Sequence, residues 1–191
     1  MDLKYPVDHF DSPRPVYRMI KILVSACLVG EPVRYNGLAK TTISKTSDNE
    51  ILRTWLSKGR LVPVCPEIKG GLLVPRNPAE IIGEDGYAVI AEKGRIIDNS
   101  GEDVTLEFTA GAYRTWELAE QENVGLAIMT DGSPSCGSSY IYDGSFTGTR
   151  KNGAGVTAAL LEKNGIRVFS QHRISSALSY LHELEKEPYL L

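Results

Sequence analysis

Ile20-Lys21-Ile22-Leu23-Val24-Ser25-Ala26-Cys27 is the stretch on which the fold turns. It is an almost unbroken apolar run, too short for an ordinary helix and rich in Ile and Val. It reads as a strand buried on both faces. The form recurs as Leu61-Val62-Pro63-Val64, Gly125-Leu126-Ala127-Ile128-Met129 and Ile166–Ser170. Helical patterns separate the four runs, and that alternation is the mark of a parallel sheet. The expected fold is therefore α/β, a mainly parallel, Rossmann-like sheet flanked by helices. Pro63 removes a ladder donor and sends the second strand to an edge.

The intervening segments carry their own signals. Ser47 and Glu50 have capping-box spacing, which predicts a helix from Ser47 with Ile51, Leu52, Trp55 and Leu56 as one apolar stripe and Gly59 as its stop. Tyr87–Ala91 and Arg95–Asp98 read as a small β-hairpin insertion turning at Glu92-Lys93-Gly94. Asp103 is a good N-cap for a long helix burying Phe108, Ala112, Trp116 and Ala119. Helices are also expected at Val156–Lys163, closed by Asn164-Gly165, and along Ile174, Leu178, Leu181 and Leu184. Pro66–Gly86 and Thr130–Gly155 are too long and too rich in Gly, Pro and Ser for idle connections, so both are candidate functional loops.

Composition narrows the class. The chain has 191 residues, 42% apolar and 24% charged, with 21 Lys+Arg against 24 Asp+Glu. That is the profile of one globular domain, here 19–191, and it excludes a broadly basic nucleic-acid-coating protein. No apolar run reaches the roughly 18 residues that span a bilayer. Residues 1–18, with three prolines and mixed charges, read as an extended arm that lacks the apolar core of a secretory signal. Three widely spaced thiols do not form a disulfide framework, and the cytoplasm is the expected compartment.

Those thiols are the chemical signal. Cys27 follows the first run, Cys65 ends the second, and Cys136 sits in the loop after the third. A parallel sheet presents the carboxyl ends of its strands to one edge, where ligands bind, so the three can converge. A lone cysteine at a strand end is most often a small buried hydrophobe. Here all three lie in unusual loops: Cys65-Pro66-Glu67, Ser133-Pro134-Ser135-Cys136-Gly137, and Cys27-Leu28-Val29-Gly30. Neighbouring hydroxyls can donate to a thiolate and tune a metal–sulfur centre. Zinc would want a fourth protein ligand or an open position, and His9, His172 and His182 lie outside these loops. An iron–sulfur cube on three thiolates would leave one iron open. With no Cys-x-x-Cys pair, spacing leaves open a zinc-dependent hydrolase, an iron–sulfur enzyme and a non-enzymatic metal or cluster carrier.

The sequence resembles the thiouracil desulfidase (TudS-like) family. The resemblance rests on Ile22–Gly30, Val33–Gly37, Val62–Glu67, Gly70-Gly71-Leu72, Pro75–Glu80, Asp103-Val104-Thr105, Ser133–Gly137, Ile141–Phe146 and Gly155-Val156-Thr157. It implies a [4Fe–4S] cluster held by Cys27, Cys65 and Cys136, whose fourth iron takes sulfur from a thiolated nucleobase and releases hydrogen sulfide. It also implies a catalytic serine, here Ser133, and a catalytic glutamate, for which Glu67 stands nearest the second cysteine; Arg60–Val64 offer no carboxylate. A soft thiocarbonyl sulfur suits an exposed iron, and a carboxylate can serve as base for the attacking water. The implied partner is a small thio-base or thionucleoside. The acidic balance counts against a long nucleic acid.

Arg34, Tyr35, Asn36 and Ser135 are the expected substrate contacts, with the pocket between Cys65–Glu80 and Thr130–Gly144. Gly153–Thr157 opens a helix whose amides could receive an anion, though a tight turn for close packing is the simpler role. Arg76 is placed to pair with Glu80 across its proline-rich loop.

Overall fold

The structure is a computed structural model that describes residues 19–40 and 46–186. The arm expected over residues 1–18 lies outside the described residues. Four strands, β1 (Lys21–Ser25), β2 (Leu61–Val64), β5 (Val124–Met129) and β8 (Arg167–Ser170), form one parallel sheet in the order β2-β1-β5-β8. β2 is the edge its proline demanded, with Pro63 opposite Val24.

That order explains the layers. The step from β1 to β2 runs one way across the sheet, and the steps to β5 and β8 run the other. Right-handed crossovers then place their helices on opposite faces. Accordingly α1 (Thr46–Ser57) and α6 (Ile174–Leu184) pack Leu52, Trp55, Ile174 and Leu181 on Ile22, Val24, Leu126 and Ile128. On the other face α4 (Thr105–Gln121) and α5 (Val156–Lys163) bring Ala119, Ala158, Ala159 and Leu161 onto Leu23, Ala127 and Met129. The connections leave β1 and β5 in opposite senses across the sheet, so the loops after these parallel strands diverge and open a crevice at the carboxyl edge.

The remaining strands form two antiparallel hairpins, β3 (Ala79–Ile82) with β4 (Arg95–Asp98), and β6 (Tyr140–Tyr142) with β7 (Arg150–Asn152). The hairpin insertion therefore exists, but with a different partner. Gly86–Ile90 is a helical turn, α3, because the Asp85 carboxylate caps it, accepting from the Tyr87 and Ala88 amides at 3.0 and 3.4 Å. Apolar Tyr-Ala-Val-Ile suits strand and helix alike, and that cap decides between them. The Arg95–Asp98 strand pairs instead with Ala79–Ile82, inside the segment expected to be loop. The β6–β7 hairpin likewise occupies part of the second long loop.

Three smaller differences concern helix ends and faces. α1 begins at Thr46, so Ser47 lies within it rather than capping it, and Leu56 is 52% exposed instead of joining the stripe. α4 begins at Thr105, two residues past Asp103, whose carboxylate still accepts from the Thr105 amide at 3.0 Å. Its short neighbour α2 (Pro66–Lys69) docks on it backbone to backbone. A Cβ on Gly111 would stand 2.1 Å from the Pro66 carbonyl oxygen, and one on Gly70 would stand 1.9 Å from that of Glu107. Only glycine at both positions admits this approach.

Candidate functional site

A cavity of about 640 Å³ opens at the carboxyl edge of the sheet, within the usual size of a small-molecule site. Cys27, Cys65 and Cys136 all line it. Local structure places each thiol. Cys27 sits in a 3-10 turn, Ala26–Val29, directly after β1, and its carbonyl accepts from the Lys40 amide at 2.9 Å. Cys65 stands at the N-cap position of α2, where Pro66 fixes the first helical φ. Cys136 lies in the turn after β5. The Ser133 hydroxyl accepts from the Ser135 and Cys136 amides, each at 3.1 Å, and the Gly137 amide closes on the Ser133 carbonyl at 2.9 Å.

That turn is held from behind by α5. The Val156 amide donates to the Pro134 carbonyl at 2.8 Å, and the Thr157 and Ala158 amides to that of Ser135 at 3.0 and 3.2 Å. The amides that could have received an anion are thus used within the chain. A Cβ on Gly155 would stand 2.4 Å from the Ser135 carbonyl, so this glycine serves close packing.

Burial raises the pKa of all three thiols. For Cys27 the Thr130 hydroxyl at 3.3 Å opposes that rise, helped by Lys40 and Arg34. For Cys65 the Ile68 amide opposes it, and for Cys136 the Ser25 hydroxyl does. Iron would reverse the balance, because a coordinated thiol gives up its proton. Among the described residues no group of three His, Cys, Asp or Glu side chains gathers tightly enough to hold a single metal ion. Cluster ligation asks less of them, since each thiolate binds a separate iron and the sulfurs need not close on one point.

Beside the thiols lies a polar chain. Arg76 grips Glu67, Nε to Oε2 at 2.7 Å and Nη2 to the same oxygen at 2.6 Å. The Ser133 hydroxyl donates to Glu67 Oε1 at 3.2 Å. The expected Arg76–Glu80 pair does not form. Glu80 instead accepts from the Gly144 and Phe146 amides at 2.9 and 3.1 Å, pinning the loop between β6 and β7.

Glu67 and Ser133 both line the cavity, as do Arg34 and Tyr35. Asn36 and Ser135 lie outside its wall. Asn36 is a turn residue whose Oδ1 accepts from the Leu38 amide, and the Ser135 hydroxyl is fully buried against Thr157 Oγ1 at 2.8 Å. The turn needs the Ser135 side chain as an anchor to α5, which takes it from the substrate side.

Sequence reasoning passed over several wall residues. Thr130, Lys40, Tyr140, Arg150 and His172 all face the cavity. His172 stands outside the cysteine loops, as the sequence has it, yet the end of β8 brings it to the same edge. Burial, then Arg34, lowers the pKa of Lys40, whose Nζ donates to the Asp131 carbonyl at 3.4 Å. The Asp131 carboxyl, despite burial, is held below the ordinary range by the Ser138 and Ser139 amides at 2.9 Å each. The Arg150 guanidinium lies 4.6 Å from the Tyr140 ring centroid. Strand-end position was the one available signal, for Thr130 directly follows an apolar run and His172 stands two residues past another.

The 2-thiouracil desulfurase family profile matches residues 22–173, a span holding all three cysteines, Glu67 and Ser133. The chain belongs to the 2-thiouracil desulfurase family. It is 42% identical over 157 residues to the uncharacterized protein YbbK of Bacillus subtilis (strain 168), covering 82% of this chain and 99% of YbbK. A solved structure of the [4Fe-4S]-dependent thiouracil desulfidase TudS superposes with a TM-score of 0.73 at 41% identity, over 84% of this chain and 99% of that one. The donor set here suits such a cluster: three thiols on one cavity, two of them beside a hydroxyl, none in a disulfide.

Proposed function

We propose that this family member is a [4Fe–4S]-dependent enzyme that hydrolyses the thiocarbonyl of a small thiouracil-like base or nucleoside, releasing hydrogen sulfide. The observation that carries this reading is the convergence of its three cysteines on one cavity that Glu67 and Ser133 also line. Cys27, Cys65 and Cys136 would hold the cluster. When bound, it supplies an iron without a protein ligand, a soft Lewis acid for the thiocarbonyl sulfur that makes the adjacent carbon more electrophilic.

The chain's own residues do the rest. Water replaces sulfur at one carbon, so thio-base and water give the oxygenated base and hydrogen sulfide with no net redox change. Glu67 takes the proton from the attacking water, and Ser133 orients that water or the ring edge. Arg34 and Tyr35 flank the ring, and the surrounding loops limit access of bulk water. The desulfidase unit is taken as 19–191, working in the cytoplasm, where free thiols persist. No helix among the described residues is long and apolar enough to cross a membrane.

Anaerobic purification tests the reading. Brown protein with broad absorbance near about 400 nm is expected, as for such clusters generally, with sulfide and uracil formed from 2-thiouracil. Colourless protein with stoichiometric zinc would transfer the site to a zinc hydrolase. A brown protein that frees no sulfide from any thio-base would be a cluster carrier.

A further inference from the structure

Arg76 occupies a position that its sequence context does not reveal. Its side chain is 8% exposed and spends its donors on four bonds. Two go to Glu67 Oε2, Nη1 donates to the Leu73 carbonyl at 3.1 Å, and Nη2 donates also to the Val33 carbonyl at 3.0 Å. The planar fork is therefore fixed on its outer side by backbone and turns its inner side to one carboxylate oxygen. Oε2 is committed to that grip. Among the described residues Oε1 carries the Ser133 bond alone and keeps acceptor capacity to spare.

A carboxylate on a flexible stem has several rotamers. This grip selects the one in which Glu67 meets Ser133, whose oxygen is in turn set by the Ser135 and Cys136 amides. We infer that Arg76 is the positioning residue of the site, holding Glu67 against Ser133 with one oxygen free to accept, and acting on the reaction only through Glu67. The inference rests on the proposed function of Glu67. The rival role is a structural brace, because the Val33 carbonyl also receives the Cys65 thiol at 3.8 Å, and losing Arg76 could loosen that loop.

A double-mutant cycle separates the two. The full-length, anaerobically purified holoenzyme is compared with Arg76→Met, Glu67→Gln and the double variant, reading kcat and KM for 2-thiouracil, iron per chain and unfolding temperature. A misplacement of about 1 Å costs on the order of 100-fold, so Arg76→Met is expected to lower kcat roughly 10- to 100-fold with KM little changed. Iron content stays at the wild-type value, while the unfolding temperature drops, since removing one partner of a buried ion pair leaves the Glu67 carboxylate uncompensated. In the Glu67→Gln background Arg76→Met then adds no more than about two-fold, since two residues acting as one unit are not additive. Arg76→Lys keeps the charge and loses the fork, so its kcat falls between the two; if the Met variant does not fold, the cycle is read with Lys.

Additive losses, a kcat that falls only as iron is lost, or a wild-type kcat in Arg76→Met or Arg76→Lys would each overturn the inference. Glu67→Gln turning over at the wild-type rate would remove the proposed base, and Arg76's role with it. A slow Glu67→Gln with additive Arg76→Met would remove the positioning role alone.

Discussion

The two faces of the sheet and its carboxyl edge obey opposite rules. On the faces, Ile22, Leu126, Ile128 and Leu161 are wholly buried and hold the molecule together through area and close packing. Around the carboxyl edge, buried and half-buried groups are polar and fixed by named partners: Glu67 by Arg76 and Ser133, Asp131 by Ser138 and Ser139, and Glu80, in the neighbouring β3, by the β6–β7 loop. The faces supply stability without chemistry, and the edge supplies chemistry with little net stability. The two regions should therefore respond to substitution separately.

The thiols set the sharpest contrast. Replacing Cys27, Cys65 or Cys136 singly by Ala is expected to abolish sulfide release and strip iron, since each would hold a separate iron. The unfolding temperature of the iron-free protein should barely move, and iron analysis beside thermal melts checks both. Full iron and full activity in Cys136→Ala would break the contrast at its centre.

Leu126→Ala tests the opposite pole. It removes a wholly buried side chain between the two helical layers and should cost about 2–5 kcal/mol in denaturant unfolding. The fraction that stays folded should keep its kcat per bound cluster.

Gly111→Ala lies where the regions meet. In an isolated helix Ala is better than Gly by about 1 kcal/mol. Here the added methyl stands 2.1 Å from the Pro66 carbonyl oxygen, and the overpacking, about 1–3 kcal/mol, should outweigh that gain. Because α2 carries Cys65 at its cap and Glu67 in its first turn, cluster occupancy should fall with stability. Equilibrium unfolding and iron content measured together decide it.

Ser133→Ala should cost about 1 kcal/mol through loss of a cap-like acceptor for two amides. It should slow turnover while leaving the cluster absorbance in place.

The smallest expected effect lies at Asp98, behind the cavity wall that its partner Asn77 helps to line. The Ser100 hydroxyl and the Asn77 amide hold the Asp98 carboxyl at about 2, below its ordinary 3.8. A depressed pKa gives stability that is complete above 3.8 and is lost as pH falls from there towards 2. The fall in urea midpoint over that window should be shallower in Asp98→Asn.

Much of the fold was legible because local pattern and global layer agree in the parallel sheet. All four of its strands follow from short apolar runs, the edge place of β2 from Pro63, and the stripes Leu52–Trp55 and Phe108–Ala112–Ala119 from helical period, since burial on a given face imposes it. The hairpins were less legible. Arg95–Asp98 found its partner in Ala79–Ile82 rather than Tyr87–Ala91, because strand pairing is non-local while a cap such as Asp85 acts at once on its neighbours. In the site, the motif residues Cys65-Pro66-Glu67 and Ser133–Gly137 could be singled out, because a turn's chemistry is written in consecutive residues. Ser135 shows where that ends: its hydroxyl is indistinguishable in sequence from that of Ser133, yet one faces Glu67 and the other Thr157.

By itself, then, the sequence determined the layered α/β fold, the three strand-end thiols and the family to which they belong. Each of these is a property of residue types at short spacing or of a repeating period. Tertiary structure alone decided that Arg76 grips Glu67 and not Glu80, that His172 and Lys40 reach the cavity, and that Gly70 and Gly111 admit α2 against α4. Those are contacts between segments whose distance in space is set by the packing of the whole sheet, and no local pattern encodes it.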